Sequence, residues 1–173
     1  MRRCRHLKRN ARTFIYVSSN MVIMTKTGQQ VLTLAQLGWK PFFQQQLDLE
    51  KWDFPVARVT AQHRNRLELL GEAGELGLDL HPDMPGITVG DWILLTPNGR
   101  FEQLLERYSL FCRKAAGSKV SEQLIASNVD TLFIVSSLNE DFSLSRIERY
   151  LSLSNEAGAE PVVILSKADL CDD

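Results

Sequence analysis

The arrangement of hydrophobic and polar positions changes along the chain, and the first region has no clear strand period. Residues 31–54 mix apolar residues with glutamines around Gly38 and Pro41, which predicts one or two short helical turns. Their aromatic side chains have two interpretations, a recognition patch or a segment docked on a core. We favour docking, because clustered aromatic side chains are usually buried. These aromatic residues are Trp39, Phe42 and Phe43.

Residues 55–112 show the alternation and turn residues of short β-strands. Arg64-Asn65 suggests a first turn. Pro97-Asn98-Gly99 suggests a hairpin turn, because Asn and Gly tolerate positive φ. About five short antiparallel strands are predicted, bounded by such turn residues. This number and size fit a five-stranded Greek-key β barrel of the OB type, with an SH3-like barrel as the alternative.

The last part of the chain predicts a strand–helix–strand unit. Residues 130–138 form a continuous apolar run, typical of a strand covered on both faces. The helical spacing that follows has a possible capping box at Ser145 and Glu148, and Gly158 is placed as its C-terminal cap. A second apolar run at 162–165 predicts another buried strand. The two strands are expected to be parallel, with ligands bound outside their carboxyl ends.

Two further segments are expected to precede or connect these units. Residues 1–30 form a basic leader that we expect to be disordered, with a nucleic-acid-binding arm as the alternative. Its first twelve residues carry a net charge of +6 and contain no acidic residue. Because the whole chain has a net charge of −1, residues 13–173 together carry −7. Residues 113–129 are predicted to be a linker, in which "SEQLIASN" (121–128) favours a short helix.

Composition excludes several classes of protein. The chain has no apolar run long enough for a membrane-spanning helix. Its cysteines are three, far apart and without a Cys-x-x-Cys motif, so they predict neither a disulfide framework nor a zinc site. Reduced thiols favour a cytoplasmic location. The hydrophobic fraction of 44% and the charged fraction of 24% are ordinary for a globular protein.

The second apolar run is followed directly by Ser166-Lys167-Ala168-Asp169, and these residue types suit a loop that recognises guanine. A carboxylate such as Asp169 can accept two parallel hydrogen bonds from guanine, at N1–H and at the exocyclic amine. Adenine presents an acceptor at the first position and would be rejected. Lys167 could lay its methylene stem over the base, and the Ser166 hydroxyl could orient the loop. A solvated turn is the alternative for so short a motif.

Longer stretches resemble a known family. "AAGS", "EQLIASNVDTLFIVSSLN" and "RIERYL", with "LGWKPFFQQQL" and "PGITVGDWILL" upstream, are similar to the circularly permuted GTPases that mature the small ribosomal subunit, the RsgA family. The likeness runs from about Leu34 to Asp173. It implies an OB-fold domain at 55–112, followed from residue 130 by a P-loop-type α/β GTPase domain. In that domain the guanine-specificity motif precedes the phosphate-binding loop. Ser166 departs from the family's usual Asn or Thr.

The same resemblance implies function, cofactors and partners. It implies GTP hydrolysis with Mg²⁺, binding of GTP or GDP, and late maturation of the 30S subunit by a cytoplasmic monomer. Zinc would belong only to a further C-terminal domain. Ribosomal RNA would bind the OB domain, although the acidic excess argues for a local basic patch rather than a broad electrostatic surface. Our candidate RNA contacts are Arg58, His63, Arg64, Arg66, Arg100, Arg113, Lys114 and Lys119.

The phosphate-binding part of such an enzyme has no counterpart in these residues. A phosphate loop needs Gly-Lys, and this dipeptide is absent from the 173 residues. Asp83-Met84-Pro85-Gly86 matches a switch motif, but we interpret it as a barrel loop. We therefore assign no catalytic or metal-binding residue, and expect residues 130–173 to be an incomplete GTPase domain, inactive alone, from a truncated enzyme. The alternative is a non-catalytic OB-fold RNA-binding module with a vestigial α/β tail.

Overall fold

The structure is a computed structural model that describes residues 14–18, 32–114 and 122–170, and these divide into two compact units. The β unit is formed by the described residues from 32 to 128. The α/β unit is formed by residues 14–18 together with residues 129–170, so its two segments flank the β unit in sequence.

Both units contain helices and strands. Of the two α-helices in the described residues, one has four residues and the other fourteen. Two 3₁₀ turns lie at Leu49–Lys51 and Ala168–Leu170. In chain order the elements are β1 (Phe14–Ser18), α1 (Pro41–Gln44), β2 (Val56–Gln62), β3 (Arg66–Gly71), β4 (Gly74–Asp79), β5 (Trp92–Leu95), β6 (Phe101–Leu104), β7 (Leu110–Lys114), β8 (Glu122–Ser127), β9 (Thr131–Ser137), α2 (Leu144–Ala157) and β10 (Glu160–Ser166).

A five-stranded antiparallel sheet is the main element of the β unit. Its strand order is β4-β3-β2-β5-β6, which confirms the number and direction of the strands predicted from residue 55 onward. The hairpin at Pro97-Asn98-Gly99 is also confirmed, with Gly99 at φ +74°. Within the described residues, however, β4 and β6 are the two edges of the sheet and do not pair with each other. Closure into an OB-type barrel is therefore not confirmed.

Strand β5 is buried on both faces, and this organises the core. Its side chains alternate between two sides of the sheet, because successive residues of a strand point to opposite faces. Ile93 and Leu95 pack into one cluster with Val59, Leu67 and other residues of the sheet. Trp92 belongs to a second cluster, beneath residues 32–54, which are called the N-terminal segment below. The sheet is thus covered on one face by residues that precede it in the chain.

The aromatic residues of the N-terminal segment dock on this second face, as the sequence predicted. Phe43 is fully buried, and its ring centroid lies 5.7 Å from that of Trp92. Trp39 meets Trp92 edge to face at 4.8 Å, and its indole N–H donates to Gln44 Oε1. Aromatic pairs in such geometries contribute beyond the area they bury. Phe42 is more exposed but still contacts Phe43 and Tyr108.

The helix expected in the 113–129 segment is wrong, because "SEQLIASN" contains strand β8. Strands β8 and β7 pair as an antiparallel two-stranded sheet, with Leu110 opposite Ser127 and Arg113 opposite Gln123. The local residues are compatible with a helix, but the partner strand satisfies the backbone groups of β8 instead. The intervening residues of the predicted linker, 115–121, lie outside the described residues.

A buried carboxylate ties β8 to the main sheet. Asp91, fully buried, accepts hydrogen bonds from Arg107 Nε at 2.7 Å, from the Thr88 N–H at 2.7 Å and from the Ser127 hydroxyl. A second Arg107 nitrogen reaches the other carboxylate oxygen at 2.7 Å, so the contact is bidentate. Charge-assisted, bidentate pairs of this kind are the strong ones, and here every carboxylate oxygen has partners.

The α/β unit contains the predicted strand–helix–strand arrangement. Strands β9 and β10 are parallel, with Glu160 opposite Thr131 and Ser166 opposite Ser137. Helix α2 connects them and ends at Gly158, which has a left-handed φ of +79° as expected of its C-terminal cap. The N-terminal cap position is Ser143, not Ser145, so the predicted capping box is wrong. Ser145 instead lies inside the first helical turn.

Two other expectations for this unit need correction. Residues 14–18, within the leader expected to be disordered, form β1, which pairs antiparallel with β9. The rest of the leader lies outside the described residues. Strand β10 was expected to be buried, yet its residues Val162–Leu165 are 36–49% exposed. Successive residues of a strand point to opposite faces, so within the described residues neither face of β10 is well covered. Strand β10 also lies at an edge of the described sheet, with β9 as its neighbour there.

Replacing Asp91 by Asn should destabilise the β unit by about 3 kcal/mol, because Arg107 would lose its charged partner in a largely buried position. All three tryptophans of the chain lie in the β unit, so tryptophan fluorescence during urea unfolding measures this unit alone. Glu106→Gln, an exposed change in the same region, is the matched control and should have little effect. Equal unfolding midpoints for the two variants would contradict the role given to Asp91.

Replacing Gly90 by Ala should be far more costly than replacing Gly74 by Ala. Both glycines have nearly the same left-handed φ, +98° and +100°, so backbone strain is matched. A Cβ on Gly90 would lie 2.1 Å from the Ser127 carbonyl oxygen, whereas one on Gly74 would meet nothing within 4 Å. We expect Gly90→Ala to cost roughly 2 kcal/mol more, measured by the same unfolding experiment. Similar losses would argue against close packing of β8 on this loop.

Candidate functional site

The carboxyl ends of β9 and β10 bring two loops together. In the parallel register Leu165 lies opposite Ser136 and Ser166 opposite Ser137, so both strands end at the same level. The Leu138 N–H then donates to the Ser166 carbonyl at 2.9 Å, which continues the ladder for one more step. The loop after β9 and the Ser166–Asp169 loop therefore form one edge of the α/β unit, where ligands bind in parallel sheets.

Ser166 is engaged with the neighbouring strand. Its side chain is half-buried, and its hydroxyl donates to the Ser136 carbonyl oxygen at 3.3 Å. This is a long hydrogen bond, so it orients the hydroxyl more than it contributes stability. The contact agrees with a role in ordering the loop, which was the role predicted from the sequence.

Lys167 and Asp169 project from the loop as exposed residues. Lys167 has φ +59°, a left-handed conformation that is uncommon for a residue with a side chain. Such conformations cost of order 1 kcal/mol and tend to occur at functional sites. Asp169 lies in the 3₁₀ turn that follows, and within the described part of the chain its carboxylate has no hydrogen-bond or ion-pair partner. Its two oxygens are thus available to a ligand.

The loop after β9 contains a residue that sequence reasoning missed. Asn139 Oδ1 accepts hydrogen bonds from the Ser137 hydroxyl at 2.8 Å and from the Asp141 N–H at 3.2 Å. The Asn139 carbonyl oxygen also accepts from the Phe142 N–H at 2.8 Å. The available signal was the Asn itself, since Asn side chains often bond the backbone two residues on and so build a turn.

Arg58 is not an available RNA contact, which corrects the sequence analysis. It is only 8% exposed, and its guanidinium donates to the carbonyl oxygens of Leu37 and Asn128, the second at 2.9 Å. The guanidinium also lies 5.8 Å from the Trp92 ring centroid. These contacts join the N-terminal segment, β2 and the end of β8, so the role of Arg58 is structural.

The other RNA candidates are spread over different places. Those with described side chains are exposed, but His63 contacts Glu68 at 2.8 Å and Arg113 donates to Gln123 at 2.9 Å. Arg64 and Arg66 lie at the β2–β3 turn, while Arg100 follows β5 at the opposite end of β2. The seven residues of β2 separate these ends by about 20 Å. The side chain of Lys114 and the whole of Lys119 lie outside the described residues.

Other sequence features do not add to the candidate site. Asp83–Gly86 lies in the β unit, where the Gly86 carbonyl oxygen accepts a hydrogen bond from Arg107, whereas the Ser166–Asp169 loop belongs to the α/β unit. Within the described ranges, no group of three or more His, Cys, Asp or Glu side chains is arranged to hold a metal ion. None of the described helices is both long and apolar enough to span a membrane.

Comparison with solved structures shows the fold class. The structure of YloQ, a circularly permuted GTPase, aligns with a TM-score of 0.52 at 18% identity over 73% of this chain and 45% of that one. The structure of YjeQ from Thermotoga maritima aligns with a TM-score of 0.54 at 24% identity, over 69% of this chain and 43% of that one. The fold is therefore shared with part of the circularly permuted GTPases.

Comparison of sequences shows the family. Residues 104–173 match the family model of the RsgA GTPase. The chain is 63% identical over 141 residues to the small ribosomal subunit biogenesis GTPase RsgA 2 of Vibrio parahaemolyticus, and 59% identical over 145 residues to that of Vibrio vulnificus. A protein of the same description from Mesorhizobium japonicum, RsgA, is 43% identical. The chain belongs to the RsgA family.

These matches cover most of this chain but less than half of each relative. They cover 81%, 83% and 82% of this chain, but 39%, 42% and 41% of the relatives. The chain thus spans about two fifths of the length of the curated relatives it matches.

Replacing Arg58 by Met should destabilise the β unit by about 2 kcal/mol or more, because two buried carbonyl groups would lose their donor. Arg64→Met removes the same charge at an exposed position and should change stability little. Urea unfolding followed by tryptophan fluorescence measures both variants. If Arg58→Met were as stable as the parent chain, the structural role would be wrong and Arg58 would again be a candidate for RNA contact.

Proposed function

We propose that the chain supplies the guanine-reading corner of a GTPase that acts in small ribosomal subunit biogenesis. The observation that carries this proposal is that β9 and β10 end at the same level of the sheet. Just beyond this point Asp169 is exposed, and its carboxylate has no partner among the described residues. Support also comes from the relatives, which are described as small ribosomal subunit biogenesis GTPases. The residues of the corner are Ser166, Lys167 and Asp169.

The chemistry of these residues suits guanine. The Asp169 carboxylate would accept hydrogen bonds from N1–H and from the exocyclic amine, both charge-assisted. Adenine would leave the carboxylate facing an acceptor, and unpaired polar groups discriminate strongly. The methylene stem of Lys167 would cover the face of the base while its ammonium group stays in solvent. Ser166 would orient the loop through its bond to Ser136 rather than contact the base.

Hydrolysis of GTP would need groups that this sequence does not contain. Phosphoryl transfer depends on backbone N–H groups and a lysine around the phosphates and on Mg²⁺ to neutralise developing charge. No Gly-Lys dipeptide occurs in the 173 residues, so we assign neither phosphate nor Mg²⁺ contacts to them. The bound nucleotide would be GTP or GDP with Mg²⁺. The zinc that the resemblance implies would be held by residues that are not in this sequence.

The partner in this proposal is the 30S subunit during late maturation, in the cytoplasm, with ribosomal RNA contacted by the β unit as an OB-type domain. Arg64 and Arg66 support an RNA contact at the β2–β3 turn, since both are exposed at one end of the sheet. The net charge of −7 outside the first twelve residues makes a local contact more favourable than a broad one. These arginines equally suit the second candidate function, a non-catalytic RNA-binding module.

Asp169→Asn should abolish the preference of the chain for GMP over AMP. We expect millimolar affinity in the parent chain, because a base contact alone offsets little of the entropy lost on binding. Chemical-shift changes of backbone amides during titration would measure both affinities. The carboxamide should lower the GMP affinity roughly tenfold, since it replaces one acceptor by a donor.

Glu160→Gln is the matched control, an equivalent change at the amino end of the same strand, and should leave the preference intact. An unchanged preference in Asp169→Asn would contradict the assignment. Micromolar binding of a fluorescent GDP analogue to these 173 residues would contradict the weak affinity.

A further inference from the structure

The loop between β9 and α2 has a defined internal structure. Asn139 is at its centre, because its Oδ1 atom accepts from the Ser137 hydroxyl at 2.8 Å and from the Asp141 N–H at 3.2 Å. The loop also contacts the start of α2, where an Arg146 guanidinium nitrogen lies 3.4 Å from the Asp141 carbonyl oxygen. One side chain therefore connects the end of β9 to the residues that lead into the helix.

This loop is coupled to the Ser166–Asp169 loop by a backbone hydrogen bond. Leu138, which lies between the two residues joined by the Ser137–Asn139 contact, donates its N–H to the Ser166 carbonyl oxygen at 2.9 Å. That carbonyl belongs to the planar peptide group whose nitrogen is the N atom of Lys167. The φ angle of Lys167, +59°, is the rotation about its N–Cα bond. The direction of the Ser166 carbonyl fixes the orientation of the peptide group on the nitrogen side of that bond.

The left-handed Lys167 conformation needs support from its surroundings. A residue with a Cβ is strained there, and such conformations persist only where neighbouring contacts determine them. Two hydrogen bonds act directly before Lys167, both on Ser166: the hydroxyl to Ser136 and the carbonyl to Leu138. The first is long at 3.3 Å, whereas the second is of ordinary length, so the Leu138 bond is the stronger constraint.

We propose that Asn139 is a positioning residue for the candidate guanine corner, an inference that rests on the proposed function. It does not touch the nucleotide. It holds the loop after β9 so that the Leu138 N–H points at Ser166, and this bond keeps Lys167 left-handed and Asp169 directed at the base. Guanine selectivity would then depend on the loop after β9 as well as on the Ser166–Asp169 loop.

The test compares four forms of the chain: the parent, Asn139→Ala, Asn139→Asp and Glu140→Ala. Asn139→Ala removes the Oδ1 acceptor. Asn139→Asp keeps a carboxylate oxygen at that position and should restore its two hydrogen bonds. Glu140→Ala changes the adjacent exposed residue and serves as the control. Two quantities are measured by NMR in each form: the hydrogen-exchange rate of the Leu138 amide without nucleotide, and the affinity ratio for GMP over AMP.

We expect Asn139→Ala to speed exchange of the Leu138 amide about five- to tenfold, as loss of a net hydrogen bond implies. The GMP-over-AMP ratio should fall by a similar factor, while exchange of β9 amides such as that of Ile134 stays unchanged. Asn139→Asp should recover both quantities, and Glu140→Ala should alter neither. A residue that only stabilised the fold would change the β9 amides and would not affect base selectivity.

The possible failures are distinguishable. If the parent chain prefers GMP and Asn139→Ala keeps that preference, the positioning role is wrong and the proposed function stands. An unchanged Leu138 exchange rate in Asn139→Ala also overturns the inference. If the parent chain shows no preference for GMP, the proposed function fails and the positioning role fails with it, whatever the exchange rates are.

Discussion

The parallel ladder between β9 and β10 is the interaction on which the candidate site depends. Its register makes the two strands end at the same level, and the Leu138–Ser166 bond extends it into the loops. A slip of one residue would turn every side chain of β10 to the other face of the sheet and move Ser166 away from Ser136. The corner is therefore a consequence of strand pairing, and its polar residues need no deep pocket to be brought together.

The β unit is organised by different forces. Its sheet is covered on one face by docked aromatic residues, and two buried charged side chains, Arg58 and Asp91, have hydrogen-bond partners, whereas the buried Trp92 Nε1 has none among the described residues. Arg58 donates to two carbonyl oxygens and Asp91 accepts from Arg107, Thr88 and Ser127. Buried polar groups are costly when unpaired, so these networks determine which segments pack together. Gly90 permits the closest approach, where β8 passes over the loop before β5.

Elements whose information is local were predictable from the sequence. The Pro97-Asn98-Gly99 turn, the C-terminal cap at Gly158 and the β9–α2–β10 unit all follow from patterns within a few residues. Elements that depend on a distant partner were not. Strand β8 looks helical until β7 is placed beside it, and β1 needs β9, more than a hundred residues away in sequence. The exposure of β10 likewise depends on which elements cover its two faces.

The candidate site divides in the same way. Ser166, Lys167 and Asp169 could be singled out because their types match the hydrogen-bonding edge of guanine, whereas Arg58 resembled any surface arginine until its buried contacts were known. Asn139 carried a signal for a turn but none for its link to Ser166, which passes through the Leu138 backbone. Side-chain chemistry can be read from a sequence, but a contact made by a main-chain N–H depends on three-dimensional register.

The most direct test of the guanine corner is a crystal structure of the chain soaked with GMP at millimolar concentration. We expect the guanine ring beside the Ser166–Asp169 loop, with N1 and the exocyclic nitrogen each about 2.7–3.0 Å from an Asp169 carboxylate oxygen. Lys167 should keep its left-handed backbone. Density for the base at any other place, with the Asp169 carboxylate still facing solvent, would show that the guanine corner is wrongly assigned.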